Sequence, residues 1–287
     1  MRLTGDSILD NGTPFQDYLL EVGEGCCQVY DQYVSIPASI VTYAESIEDV
    51  VNDVFGDSLS TGDCYKNREF IVSKAILAAH NSTVDEINEL ATEKLPGISM
   101  VYLSDDSIEE TQNSSATNFP VESLNAVKPS GMPPHKLVLK RFQPIMCLRN
   151  INPAEGLCNG TRLICRNFTR NVIEAEIAVG DKAGLIVLIP RIILISSDNA
   201  NLPFTLRRRQ FPVEPAFGMT INKSQGQTLS FAAICLIKPV FTHGQLYVAL
   251  SRVRDPANLK IILLKEPPLS TLTDNVVFNE VLTRTQN

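Results

Sequence analysis

Two short segments in the last quarter of the sequence carry residues that could do chemistry on a phosphate. The segment TINKSQGQTL (220–229) gathers threonine, asparagine, lysine, serine and glutamine side chains around Gly226. The sequence predicts a loop leading from a strand into a helix here. Backbone N–H groups at such a junction suit the phosphate oxygens of a nucleotide or of a DNA backbone. Taken alone, the segment fits a polar, capped helix start equally well.

The second segment, QLYVALSRVR (245–254), is predicted to be a helix that ends in Ser251, Arg252 and Arg254. An arginine held on a core helix can donate two hydrogen bonds to a γ-phosphate, whose charge develops during phosphoryl transfer. The alternative is a surface arginine that stabilises the carboxyl end of the helix. Neither segment decides between its interpretations alone.

The elements that must position these segments alternate between strand and helix. After residue 209 the pattern predicts strands at 210–217, 231–237 and 259–264 and a helix at 243–253. Earlier, an apolar run at 71–81 precedes a helix that Ser82 or Thr83 can cap, with Glu86 placed for a capping box. Such alternation indicates a parallel sheet with helices on its faces.

The rest of the chain shows other residue patterns. Residues 4–66 show weak helical periodicity and predict two or three helices, whereas the polar stretch 104–123 predicts a loop or linker. Between them and the later strands, residues 135–197 contain short apolar segments separated by Pro, Gly and Asn. This pattern predicts a small, barrel-like β unit inserted into the α/β sequence.

Length and composition exclude several classes of protein. A chain of 287 residues with 44% hydrophobic and 20% charged residues predicts one or two folded domains, not disorder throughout. No apolar run is long enough to cross a bilayer, and the first residues lack the apolar core of a signal peptide, so we expect an intracellular protein without a membrane partner. Seven cysteines without a Cys-x-x-Cys pair and three scattered histidines predict neither a disulfide framework nor a metal site.

The charge is distributed unevenly along the sequence. Residues 1–125 hold 5 basic and 22 acidic residues, whereas residues 126–287 hold 20 basic and 10 acidic ones. Basic residues are densest between Lys128 and Arg170, and a second cluster is formed by residues 207–209. These clusters fit either a solvated surface or a phosphate-contacting groove confined to the second half of the chain.

Together, TINKSQGQTL (220–229) and GQLYVALSR (244–252) resemble motifs V and VI of superfamily 1B DNA helicases of the Pif (petite integration frequency) type, particularly those of Helitron transposons. The segments AILAAHNSTVDEIN (75–88) and PIMCLRNINPAEGLCNGTRL (144–163) extend the resemblance over nearly the whole chain. The resemblance implies an α/β fold, a RecA-like domain (2A) with a parallel sheet and an inserted small SH3-like β domain (2B). It places the first part of 2A at 1–125, 2B at 126–200 and the rest of 2A at 201–287.

The resemblance also implies roles for individual residues. Arg252 would be the arginine finger on the γ-phosphate of ATP, with Gln225 and Gly226 near the nucleotide, and Arg2 would point at the same phosphate. The residues that would contact single-stranded DNA are Thr220, Asn222, Lys223, Ser224, Asn81 and Arg149. The family often has His where Asn222 stands, Thr where His80 stands and a small residue such as Ala where Gly218 stands.

A G-x-x-x-x-G-K-[ST] phosphate loop and a paired-acid Walker B strand are absent from the sequence. In the family both belong, with the Mg²⁺ ligands, to a first RecA-like domain, which is therefore the expected partner. We expect Met1 to be an interior residue of a longer ancestral protein and the chain alone not to hydrolyse ATP.

The implied function is that of the C-terminal part of an ATP-dependent 5′ to 3′ DNA helicase. It would work in the nucleus, in recombination, repair, telomere maintenance or Helitron transposition. Two alternatives remain. The chain could be a single-stranded DNA-binding module without catalysis, or a decayed transposon fragment without an independent role.

Overall fold

The computed structural model describes residues 7–10, 12–30, 32–59, 73–109, 119–197, 202–227, 229–267 and 270–278. The helices are α1 (Phe15–Glu24), α2 (Ile47–Phe55), α3 (Asn81–Lys94), α4 (Val121–Ala126) and α5 (Gln245–Leu250). The strands are β1 (Gln28–Tyr30), β2 (Tyr33–Ser35), β3 (Val41–Ala44), β4 (Lys74–Ala78), β5 (Met100–Leu103), β6 (Asp105–Ile108), β7 (Lys136–Leu139), β8 (Pro144–Cys147), β9 (Arg162–Phe168), β10 (Val172–Ile177), β11 (Ile186–Pro190), β12 (Ile192–Ile195), β13 (Leu206–Gln210), β14 (Val213–Pro215), β15 (Gly218–Thr220), β16 (Phe231–Cys235), β17 (Leu259–Leu264) and β18 (Leu272–Asp274).

The chain divides into two compact units. Unit 1 comprises residues 1–94 and 217–287, and unit 2 comprises residues 95–216. Unit 2 is longer at both ends than the predicted insertion at 126–200. The assignment of the two units to domains 2A and 2B stays a prediction.

Unit 1 is built on a five-stranded sheet in the order β15-β4-β16-β17-β3, with every neighbouring pair parallel. Strands β4 and β16 lie inside the sheet, and the residues from Ala75 to Ala78 are at most 1% exposed. A parallel sheet covered on both faces needs such continuous apolar strands, which is why the runs at 71–81, 231–237 and 259–264 predict it. A smaller antiparallel sheet, β1-β2-β18, belongs to the same unit.

The outer edge of β15 is closed by a side chain from helix α3. Asn88 accepts a hydrogen bond from the backbone N–H of Gly218 (2.9 Å) and donates one to its carbonyl oxygen (3.0 Å). A Cβ atom at Gly218 would lie 2.8 Å from Cγ2 of Ile87, so only glycine lets the helix come this close without a shift. The amide of Asn88 therefore replaces a neighbouring strand at this edge.

Unit 2 consists mainly of antiparallel β-structure. Its sheets have the orders β11-β10-β9-β8-β14, β12-β13-β6 and β5-β7. The segments VIEAEI and IVLIP pair with each other as β10 and β11, within this unit. The prediction of a parallel-sheet strand at 210–217 is partly wrong. Val213–Pro215 pairs antiparallel with β8 and so belongs to the β unit rather than to the parallel sheet.

The prediction that 104–123 is a loop is wrong for its described residues, which include strand β6 and the first part of helix α4. The strand forms because a buried ion pair compensates its polar sequence. Arg208 on β13 donates to both carboxylate oxygens of Asp106 on β6, at 2.9 and 2.7 Å, and both side chains are fully buried. The same guanidinium donates to the carbonyl oxygens of Pro133 and Leu124.

Replacing Asn88 tests the closure of the sheet edge. We expect Asn88→Ala to lower the free energy of unfolding by about 1–3 kcal/mol, because two buried backbone groups of Gly218 lose their partners. Asn88→Asp should also destabilise, since a carboxylate can accept from the N–H but repels the carbonyl oxygen. Urea denaturation followed by circular dichroism measures both changes.

The exposed neighbour Glu89 provides the control for these two variants. Glu89→Ala should change the free energy of unfolding by less than about 0.5 kcal/mol. Equal stability of Asn88→Ala and Glu89→Ala would contradict the role given to Asn88.

Candidate functional site

The predicted phosphate-binding segment follows strand β15 at the carboxyl edge of the parallel sheet. Strand β4 ends beside it, and the backbone N–H of Ile221 donates to the carbonyl oxygen of Ala78 (3.0 Å). Helix α3 begins at Asn81, three residues beyond the end of β4. The structure therefore brings Asn81 next to the segment that starts at Thr220, because neighbouring parallel strands end at the same edge.

The segment itself is a turn, which corrects the predicted loop-to-helix junction. A short 3-10 turn covers Asn222–Ser224, and Gly226 then has a φ of 79°, a left-handed conformation that favours glycine. In the described residues that follow, the next α-helix is α5. A phosphate site at a helix N-terminus is therefore not formed here. Binding would depend mainly on side chains, because the N–H groups of Ser224, Gln225 and Gln227 already donate to carbonyl oxygens of the turn.

The side chains of the turn differ in exposure. Asn222 and Gln225 are exposed, and Thr220 and Lys223 are half-buried. Ser224 is fully buried, and its hydroxyl donates to the carbonyl oxygen of Ile221 (2.6 Å). The structure thus gives Ser224 a role in holding the turn, whereas Asn222 and Gln225 face the solvent.

Arg252 connects this turn to helix α5. Its Nη1 donates to the carbonyl oxygens of Ser224 (3.2 Å) and Gln227 (3.5 Å), and its Nε donates to that of Val248 (2.8 Å). Its Nη2 donates to the hydroxyl of Ser251 (2.8 Å). Burial lowers the pKa of the guanidinium from its ordinary value.

These contacts determine how many hydrogen bonds Arg252 can still donate to a phosphate group of ATP. A guanidinium has five N–H groups, and four of them have acceptors here, which leaves one Nη2 hydrogen without a partner among the described residues. One hydrogen bond to a phosphate oxygen fits this arrangement, and a second would have to replace the hydroxyl of Ser251 or a carbonyl of the turn. For Mg²⁺, no group of three or more His, Cys, Asp or Glu side chains lies together in the described residues.

One other predicted site residue, Arg149, lies in unit 2. Arg149 follows strand β8 in unit 2, where its Nη1 donates to the carbonyl oxygen of Leu148 (3.2 Å). Arg2 lies outside the described residues. The structure thus brings together the residues from Thr220 to Gly226 and Arg252. Asn81 lies three residues beyond the end of the neighbouring strand β4, and Arg149 lies in the other unit.

Only some of the basic residues between Lys128 and Arg170 are exposed to solvent. Lys140 and Arg162 are buried and donate to the backbone carbonyl oxygens of Leu95 and Ala216. Arg166 forms an ion pair with Glu176. Residues 95–216 hold 13 basic against 11 acidic residues, and the rest of the chain holds 12 against 21. The net charges of the two folded units therefore differ less than the net charges of the two halves of the sequence.

The loop between β16 and α5 contains residues that the sequence analysis did not single out. Phe241 is 55% exposed, and its ring packs against that of His80 with the centroids 4.8 Å apart. Lys238, in the same loop, is exposed. The only sequence signal is an aromatic and a cationic residue in KPVFTHG (238–244), between a buried strand and a helix.

Comparison with known proteins finds similarity to DNA helicases. Residues 122–168 match the family described as DNA helicase Pif1, 2B domain. The human ATP-dependent DNA helicase PIF1 is 30% identical over 190 residues, which make up 65% of this chain and 26% of the human protein. The chain is a relative of the Pif1-type DNA helicases. It spans about a quarter of the length of the human relative.

Solved structures of Pif1-type helicases share the fold of this chain. The crystal structure of Pif1 helicase from Candida albicans has a TM-score of 0.61 at 22% identity, covering 95% of this chain and 57% of that one. The structure of Pif1 helicase from Bacteroides in complex with ADP-AlF3 and ssDNA has a TM-score of 0.51 at 20% identity, covering 85% and 54%. With the parallel sheet of unit 1, this likeness confirms the predicted fold class, a RecA-like α/β domain with a β domain of the 2B type. The helices in the described part of the chain lack the length and apolar character of a membrane span.

The turn at Gly226 can be tested through its backbone conformation. A Cβ atom at this position meets nothing within 4 Å, so a substitution affects only the left-handed φ. We expect Gly226→Ala to lower the free energy of unfolding by about 1–2 kcal/mol and Gly226→Asn to lower it less, because Asn tolerates this conformation. Thermal or urea denaturation checks both.

The control for Gly226 is its neighbour Gln225, which is exposed and has an ordinary φ of −57°. Gln225→Ala should stay within about 0.5 kcal/mol of the parent protein. If Gly226→Ala were as stable as Gln225→Ala, the left-handed turn would not be needed for the fold.

Proposed function

We propose that this chain is the second RecA-like domain, with its 2B domain, of an ATP-dependent DNA helicase of the Pif1 type. The observation that carries the proposal is the bonding of Arg252. The residue expected to contact ATP holds, through Ser224 and Gln227, the turn expected to contact DNA. Nucleotide and DNA contacts would therefore share one hydrogen-bonded structure.

On the nucleotide side, Arg252 would donate its remaining Nη2 hydrogen to a phosphate oxygen, with Gln225 and Gly226 nearby. A first RecA-like domain would supply the phosphate loop and the Mg²⁺ ligands, and the bound metal would neutralise charge on the transferred phosphoryl group. The human relative is named as ATP-dependent, and the similar Bacteroides protein was crystallised with ADP-AlF3. Both facts support ATP as the cofactor.

On the DNA side, Thr220, Asn222, Lys223 and Asn81 would contact the backbone of a single strand at the carboxyl edge of the sheet. Arg149 would add a contact from the 2B domain. The Bacteroides structure, which contains ssDNA, supports this partner. We propose translocation from 5′ to 3′ and a nuclear role in recombination, repair, telomere maintenance or Helitron transposition, as the resemblance implies.

A second candidate function is single-stranded DNA binding without catalysis. It is favoured by the sequence itself, because these 287 residues contain no phosphate-loop motif. The two functions differ in whether the chain contributes to ATP hydrolysis when a first RecA-like domain is present.

ATP hydrolysis separates the two candidates. We expect the purified chain to have no ATPase activity, and a fusion to the N-terminal RecA-like domain of a Pif1-type relative to have activity stimulated by single-stranded DNA. In the fusion, Arg252→Ala should lower kcat by about a thousandfold, the scale of an arginine finger.

Arg254 is the matched control, because it is exposed and lies two residues from Arg252. Arg254→Ala should keep kcat close to that of the parent fusion. DNA affinity, measured in parallel, separates loss of a phosphate contact from collapse of the turn. Full activity in Arg252→Ala would contradict the proposal, and activity of the chain alone would contradict the need for a first domain.

The DNA contact of Lys223 is testable in the 287-residue chain. Fluorescence anisotropy with a labelled oligonucleotide should give weak binding whose affinity falls with salt. Lys223→Ala should reduce the slope of log K against log salt by about 0.7, which corresponds to one phosphate on a single strand.

Lys94, which ends helix α3 and pairs with Glu48 (2.7 Å), is the control. It lies at the far end of the helix that starts at Asn81, so Lys94→Ala should leave the slope unchanged. Equal slopes for the parent protein and Lys223→Ala would exclude Lys223 from the DNA contact.

A further inference from the structure

The loop from Leu236 to Gly244 presents one large aromatic ring to the solvent. Val240 is 3% exposed and belongs to the core, whereas the next residue, Phe241, is 55% exposed. Burial of a phenylalanine ring stabilises a fold, and this ring forgoes much of that gain. Single exposed apolar residues are common on protein surfaces. Two features distinguish this ring, namely how it is held and where it lies.

The ring is held on one side by His80. The two ring planes are inclined by 31° with their centroids 4.8 Å apart. Nε2 of His80 lies 3.1 Å from the carbonyl oxygen of Pro239, and because a carbonyl only accepts, this nitrogen carries the proton. The backbone N–H of Phe241 donates to Oε1 of the buried Gln245 (3.1 Å). Phe241 is therefore oriented before any ligand arrives.

The position of the ring points to its ligand. Strands β16 and β4 are parallel neighbours, so the loop after β16 lies beside the start of helix α3. Nζ of Lys238 reaches the hydroxyl of Ser82 (3.4 Å), next to Asn81. An apolar ring and a cation thus stand at the sheet edge at which β15 also ends. A ring for a base together with a cation for a phosphate is the combination that single-stranded nucleic acids need.

We propose that the exposed face of Phe241 is a stacking site for one nucleobase of a single strand, with Lys238 beside the adjoining phosphate. His80 is a positioning residue that fixes the ring. The inference rests on the proposed function, since it adds a base contact to the phosphate contacts given there. Stacking on a phenyl ring accepts every base, so the site would not select a sequence.

The chain supplies a matched control in a second pair of the same type. The rings of His243 and Phe278 are stacked with their centroids 5.6 Å apart, and Phe278 is 56% exposed. Phe278 follows β18, a strand of the small antiparallel sheet, rather than a strand of the parallel sheet. Exposure and stacking are thus similar in the two pairs. His243 belongs to the same loop as Phe241, but Phe278 itself comes from the end of the small antiparallel sheet.

Tryptophan fluorescence can report the contact directly, because the chain contains no tryptophan. Phe241→Trp introduces a single indole at the proposed site, and Phe278→Trp introduces one at the control position. We expect an oligothymidylate of about 12 nucleotides to quench the fluorescence of Phe241→Trp and to leave that of Phe278→Trp unchanged. Quenching in neither variant, or equal quenching in both, would overturn the stacking site.

Affinity provides the second measurement. Phe241→Ala should raise the Kd for the oligothymidylate about fivefold or more, whereas Phe278→Ala should not change it. With an abasic oligonucleotide of the same length, Phe241→Ala and the parent protein should bind equally, since only phosphates remain. Binding of both oligonucleotides without any effect of Phe241→Ala would overturn this inference and leave the proposed function standing. Absence of binding to either oligonucleotide at low salt would overturn both.

Discussion

The position of strand β15 depends on the contact between Asn88 and Gly218. An edge strand needs partners for its outer backbone groups, and here a single side-chain amide supplies both hydrogen bonds. The amide reaches the strand only because helix α3 lies against it, and the helix lies so close because residue 218 has no Cβ atom. The turn from Thr220 to Gly226 continues directly from this strand, so its place at the sheet edge follows from the same contact.

Unit 2 shows a different constraint, the cost of a buried charge. A buried guanidinium is costly unless its N–H groups find acceptors, and Arg208 finds them in Asp106 and two carbonyl oxygens. Arg162, fully buried, has a pKa lowered by burial to about 10 and donates to the carbonyl oxygen of Ala216. Such residues are counted as positive in the sequence but hold strands and loops together instead of presenting charge to a polyanion.

These two constraints explain how far the sequence predicts the structure. Strands β4, β16 and β17 are predictable because burial on both faces requires apolar runs, and helix α3 is predictable from its apolar spacing and its Pro-Gly stop, although it begins at Asn81, before the predicted cap at Ser82 or Thr83. Strand β3 is not predictable, because it lies within residues 4–66, whose periodicity predicts helices. Strand β6 is not, because its buried Asp106 is compensated by a residue 102 positions away. The motif at 220–229 is recognisable from the sequence, but its turn is not. The left-handed φ of Gly226 is incompatible with the helix that the sequence predicts there. The pairing of His80 with Phe241 depends on two parallel strands becoming neighbours, which no local pattern records.

The contacts of Arg252 give the proposed function a physical consequence. Because four of its five N–H groups already have acceptors, a phosphate that took two hydrogen bonds would have to displace the hydroxyl of Ser251 or a carbonyl of the turn. A ligand shifts a conformational equilibrium only through contacts that differ between the two conformations, and the exchange of an acceptor on Arg252 is such a difference. The released carbonyl would belong to Ser224 or Gln227, on either side of Gly226, where the backbone can change conformation at the least cost. Binding of a nucleotide could then move Asn222 and Lys223 without any change in the sheet, whose edge Asn88 keeps in place.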